Sequence, residues 1–164
     1  MGQDKARLLW EGVPLVRYQL ERLEALEPGA AIIGGDYRDL GLPQVVDAYP
    51  GEGPLGGILT ALGQSKAALI LAVDMPRVSA ATLRALLEMP LGDAVVPRHP
   101  DGRIQPLAAL YRESARAKLQ AVFDRGTRRV VEAIEALDVT WFETAGEEFR
   151  AMNTPVEYKE ALHP

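Results

Sequence analysis

The sequence contains no cysteine and only two histidines, His99 and His163. The lack of cysteine excludes disulfides, thiolate zinc sites, iron–sulfur clusters and a cysteine nucleophile. Two histidines are too few for a histidine-rich metal site, and no nucleophile–base–orienter triad can be assembled around them. Any metal chemistry must therefore use oxygen ligands, which favour Mg²⁺ or Ca²⁺ over zinc.

Long apolar runs and excess positive charge are also missing. The longest strongly apolar run, Ala67–Val73, is far shorter than the roughly 20 residues that a membrane-spanning helix needs. The first residues carry charges where a signal peptide would be apolar, so we expect a cytoplasmic protein that does not associate with membranes. The net charge of −5 argues against general nucleic-acid binding.

The 164 residues have an average globular composition, with 48% apolar and 25% charged residues, and predict a single domain over residues 1–164. Apolar runs alternate with amphipathic segments, which predicts a parallel or mixed sheet with helices on both faces. The predicted helices are Leu15–Ala25, Pro54–Ser65, a helix capped by Ser79 that continues to Glu88, Glu113–Asp124, Arg128–Leu137 and a last helix from Pro155. The predicted strands are Ala30–Ile33, Gln44–Val46, Ala68–Val73, Asp93–Pro97, Leu107–Tyr111 and Val139–Phe142.

Two aspartates lie just beyond predicted strands, where open α/β sheets bind their ligands. Asp74 follows the most apolar strand directly, and a carboxylate on such a rigid element is well placed to bind Mg²⁺. The alternative is an Asp-x-Pro turn that merely ends the strand. Asp47, at the end of another predicted strand, supplies a second possible oxygen ligand.

A glycine-rich segment, Gly51–Gly57, leads into the predicted helix that begins with Pro54. Backbone N–H groups at a helix start, approached closely because glycine has no side chain, suit a phosphate or a nucleobase. The alternative is a tight turn that lets the helix pack closely on the sheet. The segment matches neither the Walker loop nor the dinucleotide-binding glycine pattern.

Arg128 and Arg129 follow Thr127, which we interpret as a helix N-cap. Two cations in a first helical turn oppose the helix dipole at a cost of about 0.3–1 kcal/mol each, which indicates either an anion site or two solvated arginines. Asn153 precedes a capping box and either reaches a ligand or closes the turn. His99, in a polar loop, is interpreted as a surface residue without a catalytic role.

Oxygen ligands, phosphate-compatible turns and arginines together suit phosphoryl or nucleotidyl transfer, which depends on positioning and charge stabilisation. The residues alone thus predict an α/β domain that uses Mg²⁺ and handles phosphate groups.

Seven groups of residues spread over essentially the whole chain resemble, in this order and spacing, those of the molybdenum cofactor guanylyltransferases, a family of the nucleoside-triphosphate transferase superfamily. They are Met1-Gly2-Gln3-Asp4-Lys5, Asp47 with Tyr49-Pro50-Gly51, Gly53-Pro54-Leu55-Gly56-Gly57, Asp74-Met75-Pro76, Gln105-Pro106-Leu107 with Ala109-Leu110-Tyr111, Gly126-Thr127-Arg128-Arg129-Val130, and Asn153-Thr154-Pro155. The resemblance implies an α/β fold, a three-layer Rossmann-like nucleotidyltransferase with a mostly parallel central sheet. It also implies transfer of GMP from GTP to the terminal phosphate of molybdopterin, with release of pyrophosphate.

The same resemblance implies roles for individual residues. Lys5 and Asp74 would be catalytic, with Lys5 on the nucleotide phosphates and Asp74 coordinating Mg²⁺. Asp47 and the turn residues would hold the guanine nucleotide, while the two arginines and the asparagine would lie on the pterin-phosphate side or near the metal. The turn residues are Gly53, Pro54, Leu55 and Gly56. The two arginines and the asparagine are Arg128, Arg129 and Asn153. Apoproteins of molybdoenzymes and proteins of cofactor biosynthesis are further possible partners.

Two features depart from the family pattern. The family begins with a buried strand and a glycine-rich loop ahead of the Met-Gly-x-Asp-Lys segment, whereas this chain starts at Met1 within that motif. We expect the chain as written to bind GTP poorly and a version extended by about 15–20 residues to be active. Ala151 stands where the family often has a second asparagine.

Three other functions compete with this interpretation. A molybdopterin cytidylyltransferase or another small nucleotidyltransferase would share the fold, and turnover of GTP against CTP separates them. A receiver-type signalling domain would explain Val73-Asp74-Met75-Pro76, but its acidic pair and late Lys-Pro are absent from this sequence. A non-catalytic binding partner in molybdoenzyme maturation would show an intact fold without turnover.

Overall fold

Helices and strands alternate along most of the chain in the computed structural model, which describes residues 4–90, 92–144, 146–153 and 157–158. The helices are α1 (Leu15–Leu26), α2 (Pro54–Gln64), α3 (Ala80–Glu88), α4 (Glu113–Asp124) and α5 (Val130–Ala133). The strands are β1 (Leu9–Trp10), β2 (Val13–Pro14), β3 (Ile32–Ile33), β4 (Gln44–Val45), β5 (Ala67–Leu71), β6 (Ala94–Arg98), β7 (Ala108–Arg112) and β8 (Val139–Glu143). Short 3₁₀ helices cover Lys5–Arg7, Arg38–Leu40, Ile134–Ala136 and Glu147–Phe149.

The largest sheet has four strands in the order β5-β7-β6-β8. Strand β7 is antiparallel to both of its neighbours, and β6 is parallel to β8, so β5, β6 and β8 all run in one direction. Strand β7 runs against them because the short loop between β6 and β7 contains no crossover helix, which parallel strands require. The sheet is therefore mixed: three of its four strands run in one direction, but two of its three strand pairs are antiparallel.

Alternate residues of the sheet strands enter two separate cores, one on each face. Ala94 and Val96 of β6 pack with α2, α4 and α5, while Val95 between them packs with α3 and the chain after β5. This alternation follows from the two-residue repeat of a strand. It confirms the expected three layers, with helices on both faces of the sheet. Among the described residues, no helix is both long enough and apolar enough to cross a membrane.

A second, two-stranded parallel sheet lies beyond the edge formed by β5. It pairs Ile32 with Gln44 and Ile33 with Val45. Val73, just after β5, packs in one apolar cluster with Ile32 and with the buried Tyr37. The β3–β4 sheet therefore adjoins the carboxyl end of β5, on the side away from β7.

The structure confirms most predicted elements and corrects two of the details. The hairpin of β1 and β2 was not predicted, because both strands have only two residues and their turn uses Glu11 and Gly12, both with positive φ. Helix α5 begins at Val130 rather than Arg128, so Thr127 is not its N-cap and the two arginines precede the first helical turn. The predicted last helix begins at Pro155, outside the described residues.

A buried carboxylate joins the amino end of β6 to two other elements. Asp93 is 4% exposed, and its Oδ2 accepts hydrogen bonds from Lys118 Nζ of α4 at 2.5 Å and from Asp138 N, before β8, at 2.8 Å. Burial by itself raises the pKa of Asp93, but the hydrogen bonds from Lys118 and Asp138 outweigh it and lower the pKa below the ordinary value of 3.8. The ionised carboxylate therefore stabilises the fold.

We predict that Asp93→Asn lowers the free energy of unfolding by about 1–3 kcal/mol at pH 7, because a buried charge-assisted hydrogen-bond set is lost. The folded-state pKa is depressed, so the stabilisation is complete above the ordinary pKa and disappears as the pH falls through the folded-state value. Urea denaturation measures the free energy of unfolding of wild type and variant at pH 7 and at a series of lower pH values. Glu88→Gln, on the exposed face of α3, is the control. A difference between wild type and variant that stays constant down to the lowest pH would contradict the assignment.

Candidate active site

The candidate site begins at the edge of the sheet where β5, β6 and β8 end. Strands that run in one direction bring their carboxyl ends to the same edge, which is where open α/β sheets bind ligands. Asp74 follows β5 after two residues, and its side chain is 22% exposed. The predicted position of this carboxylate at a strand end is therefore observed.

Lys5 and Asn153, far apart in the sequence, meet at Asp74. Lys5 Nζ lies 3.4 Å from Asp74 Oδ2 and donates a 2.9 Å hydrogen bond to Asn153 Oδ1. The backbone N–H of Met152 donates to the carbonyl oxygen of Asp74 at 2.9 Å, which fixes the C-terminal segment beside the β5 loop. The structure thus brings together three of the residues named from the sequence.

Lys5 is held in place by a short 3₁₀ helix whose N-cap is Asp4. Asp4 Oδ1 accepts from Ala6 N at 3.0 Å and from the Tyr37 hydroxyl at 3.4 Å. Arg7 makes two hydrogen bonds, at 2.8 and 2.9 Å, to the carboxylate of Asp39. These contacts anchor both ends of the lysine segment to the chain that follows β3.

Gln19 and Arg22 of α1 hold the loop that carries Asp74. Neither residue was predicted from the sequence to belong to the site. Gln19, 4% exposed, donates from Nε2 to the carbonyl oxygens of Ala72 and Val73 at 3.3 and 3.5 Å. Arg22 donates to Gln19 Oε1 at 2.8 Å, and to the carbonyl oxygens of Pro76, at 2.8 Å, and Val78. The sequence feature that could have indicated this role is a glutamine four residues after Leu15, on the apolar face of an amphipathic helix.

Asp47 lies at the beginning of a turn that leads to α2. Its Oδ1 accepts hydrogen bonds from Tyr49 N at 2.9 Å and from Thr60 Oγ1 at 3.0 Å. Within the described residues, Oδ2 of Asp47 has no hydrogen-bond partner. One carboxylate oxygen therefore stabilises the turn while the other remains available to a ligand.

The glycine-rich segment forms the start of α2, as predicted. Pro54 is its first residue, and Gly53 has a φ of 79°, in the left-handed region that favours glycine. A Cβ on Gly56 would lie only 2.8 Å from Tyr49 Cβ and 3.2 Å from Tyr49 O. The absence of a side chain at Gly56 thus allows the turn after Asp47 to pack on the helix.

A cleft of about 770 Å³ opens between the end of β3, the β4 strand and this turn. Its lining includes Gly34 and Gly35 after β3, Asp47, and Val46, which is 89% exposed. Asp36 also lines the cleft, and hydrogen bonds from Arg38 lower its pKa to about 2. Apolar surface with two carboxyl groups that can accept hydrogen bonds suits a planar ring that carries N–H donors.

The two arginines differ in their surroundings. Arg128 pairs with Glu52 of the glycine-rich turn, donates to Phe123 O at 2.8 Å and stacks over the Phe123 ring at 3.8 Å. Arg129 is paired with Glu132 at 2.7 Å. Arg128 is therefore linked to the cleft turn through Glu52, whereas neither arginine is brought to the Lys5–Asp74–Asn153 group by its observed contacts.

The described residues contain no group of three or more His, Cys, Asp or Glu side chains that could hold a metal ion. The oxygens of Asp74 and Asn153 both contact the ammonium group of Lys5, so this pair already accepts a cation. A carboxylate and an amide oxygen are hard ligands of the kind that Mg²⁺ takes, with the remaining positions left to water and to substrate phosphates.

The family model for the MobA-like NTP transferase domain matches residues 1–139. A probable molybdenum cofactor guanylyltransferase of Chloroflexus aggregans is 40% identical over 148 residues, which cover 83% of this chain and 71% of the relative. A molybdenum cofactor guanylyltransferase of Xanthomonas euvesicatoria is 30% identical over 175 residues, covering 99% of this chain and 88% of the relative.

Solved structures agree with these sequence matches. The crystal structure of a molybdopterin-guanine dinucleotide biosynthesis protein A from Archaeoglobus fulgidus superposes with a TM-score of 0.79 at 25% identity, covering 98% of this chain and 89% of that one. A 2-C-methyl-D-erythritol 4-phosphate cytidylyltransferase from Thermus thermophilus reaches a TM-score of 0.70 at 16% identity, covering 96% and 92%. The second match shows the shared fold alone.

We predict opposite effects for alanine at two adjacent glycines of α2. Gly56→Ala should lower the free energy of unfolding by about 1–3 kcal/mol, because the new methyl group collides with Tyr49 and must displace it. Gly57→Ala is the matched control: its Cβ would approach nothing closer than Ile33 Cγ2 at 3.9 Å, so it should be neutral or stabilising by up to about 1 kcal/mol. Thermal denaturation measures both, and equal effects would contradict the packing role of Gly56.

Proposed function

Because the chain belongs to the MobA-like NTP transferase family, we propose that it transfers GMP from GTP to the phosphate of molybdopterin and releases pyrophosphate. The observation that carries the proposal is the meeting of Lys5, Asp74 and Asn153 at the carboxyl end of β5. A phosphate-binding cation and a hard oxygen pair are the groups that nucleotidyl transfer requires.

The cleft beside β3 and β4 is the proposed site of the guanosine part of GTP. The free oxygen of Asp47 and the carboxylate of Asp36 accept hydrogen bonds, and guanine offers neighbouring N–H donors on its ring edge. Val46 supplies apolar surface for the ring face. From this position the triphosphate extends toward Lys5, whose ammonium group neutralises phosphate oxygens.

Asp74 and Asn153 are the residues that would hold Mg²⁺, with water and the phosphates of GTP available for the remaining positions. Bound there, the ion would neutralise charge on the phosphate oxygens as the bond to the leaving group breaks. Lys5 would then turn from these two oxygens to the phosphates, so that a cation remains on each side of the reacting group.

The reaction itself needs no nucleophile from the protein. A phosphate oxygen of molybdopterin attacks the α-phosphorus of GTP, a new phosphorus–oxygen bond forms, and the bond from the α-phosphorus to the bridging oxygen breaks. Pyrophosphate leaves with that electron pair. The residues of the chain hold the two substrates in line and stabilise the charge that develops on the phosphate oxygens.

Other assignments remain predictions. Arg128 and Arg129 are expected on the pterin-phosphate side or near the metal. Arg128 pairs with Glu52, which belongs to the glycine-rich segment. Interaction with molybdoenzyme apoproteins and a cytoplasmic location remain predictions.

The test of the proposed function is a transfer assay with molybdopterin, Mg²⁺ and either GTP or CTP labelled at the α-phosphate. At a GTP concentration that saturates the chain we expect GMP transfer with release of pyrophosphate, and much slower transfer with CTP. Asp74→Asn should reduce kcat by about 10²-fold or more, because it removes the charged ligand while preserving the shape of the side chain. Glu88→Gln, on the exposed face of α3, is the charge-matched control and should retain full activity.

Three results would contradict the proposal. Equal or faster turnover of CTP would identify a cytidylyltransferase, and binding of GTP without transfer would identify a non-catalytic partner. Full activity of Asp74→Asn would show that the reaction does not depend on the carboxylate at the end of β5.

A further inference from the structure

We propose that a small cavity at the ends of β6 and β8 binds the phosphate-bearing end of the acceptor substrate through His99, Arg103 and Arg150. This inference rests on the proposed function, since it specifies where the second substrate of that reaction lies. The sequence had indicated only a surface role for His99.

The cavity is formed by three segments at the sheet edge that also carries Asp74. His99 and Arg103 belong to the loop between β6 and β7, Thr144 follows β8, and Arg150 follows the 3₁₀ helix after β8. Because β5, β6 and β8 run in one direction, all of these segments emerge at their shared carboxyl edge.

Two backbone hydrogen bonds tie the walls of the cavity to the loop of Asp74. Met152 N donates to Asp74 O at 2.9 Å, and Arg150 is two residues before Met152, a separation that the chain spans in at most about 7 Å. On the other wall, Ala72 N donates to Leu107 O at 2.7 Å, and Gln105, two residues before Leu107, lines the cavity. The cavity therefore adjoins the reacting centre.

Asp101 orients two of the three basic side chains. Its carboxylate lies 2.8 Å from His99 Nδ1 and 2.7 Å from Arg103 Nε, and it accepts from Arg103 N at 3.0 Å. The backbone hydrogen bond from Arg103 is the largest influence that lowers the pKa of Asp101 to about 2, so the carboxylate is ionised at neutral pH. His99 and Arg103 are thus fixed from behind, on the side away from a ligand.

The other side-chain nitrogens of His99, Arg103 and Arg150 are available to bind a ligand. Within the part of the chain that the structure describes, His99 Nε2 and the two terminal nitrogens of Arg103 have no hydrogen-bond partner. Among the described residues, Arg150 forms an ion pair with Glu157 at 3.7 Å, which is beyond hydrogen-bond distance. Two guanidinium forks and an imidazole around one cavity match the geometry of a phosphate group.

The cavity fits the acceptor better than the triphosphate of the nucleotide. Glu147 lines it together with the basic groups, which disfavours a polyphosphate and favours a ligand that combines a phosphate with N–H donors. The nucleotide cleft is lined from the end of β3 and from β4, and Val73 after β5 packs against the same apolar cluster as Ile32 of β3. Asp74 therefore separates the two binding regions, as transfer between two substrates requires.

The first test measures the transfer rate while the concentration of molybdopterin is varied at saturating GTP, and then while the concentration of GTP is varied at saturating molybdopterin. Arg103→Gln and Arg150→Gln should each raise the KM for molybdopterin about tenfold or more, while the KM for GTP and the melting temperature stay unchanged. Arg84→Gln, an exposed arginine of α3, is the matched control and should change neither KM. An unchanged acceptor KM, or an equal rise of both KM values, would overturn the inference.

The second test is independent of turnover and uses inorganic phosphate as the probe. In ¹⁵N NMR spectra of the whole chain, phosphate should shift the Nε–H signal of Arg103 and the imidazole signals of His99, with weaker binding in Arg103→Gln. Absence of these shifts would overturn the inference even if GMP transfer is observed. Phosphate shifts in a chain that transfers no GMP would instead refute the proposed function, which separates the two failures.

Discussion

The backbone carbonyl groups that follow β5 must find hydrogen-bond donors, and this requirement organises the rest of the site. A partly buried carbonyl without a donor is costly, so the carbonyls of this loop depend on donors from other parts of the chain. Gln19 and Arg22 donate from α1, and Met152 donates from the C-terminal segment. The same bonds that satisfy the loop fix Asp74 and bring Asn153 beside it.

The direction of the strands determines how two substrates can meet. Strands β5, β6 and β8 end at one edge, so their loops face a common space, while β7 returns between them through a short connection. The cleft beside β3 and β4 lies on one side of Asp74 and the cavity of His99 and Arg103 on the other. A nucleotide and an acceptor held there would face each other across the carboxylate.

Elements with strong local signals could be predicted from the sequence. The hydroxyl of Ser79 caps α3 by accepting from Thr82 N, and α4 has the predicted bounds Glu113–Asp124. The two-residue strands β1 and β2 were missed because so short a strand has no periodicity. The start of α5 was misplaced because the cap position of Thr127 was inferred from residue type alone, without its backbone geometry.

The candidate site was only partly predictable for a different reason. Asp74 could be placed at a strand end from the pattern, but its contact with Lys5, 69 residues away, was not predicted, since the family resemblance implied only a separate role for each residue. Gln19 and Arg22 act on carbonyl groups more than 50 residues distant, and no local pattern reports such contacts. The role of Asp101 in orienting His99 likewise depends on loop geometry that composition does not encode.

The most direct test of the account is a crystal structure with GTP and Mn²⁺, with Mn²⁺ as an anomalous scatterer in place of Mg²⁺. We expect one anomalous peak within metal-ligand distance, about 2.1 Å, of Asp74 and close to Asn153, with the guanine ring in the cleft beside Asp47. An anomalous peak away from Asp74, or a guanine ring outside that cleft, would contradict the central claim that the end of β5 organises catalysis.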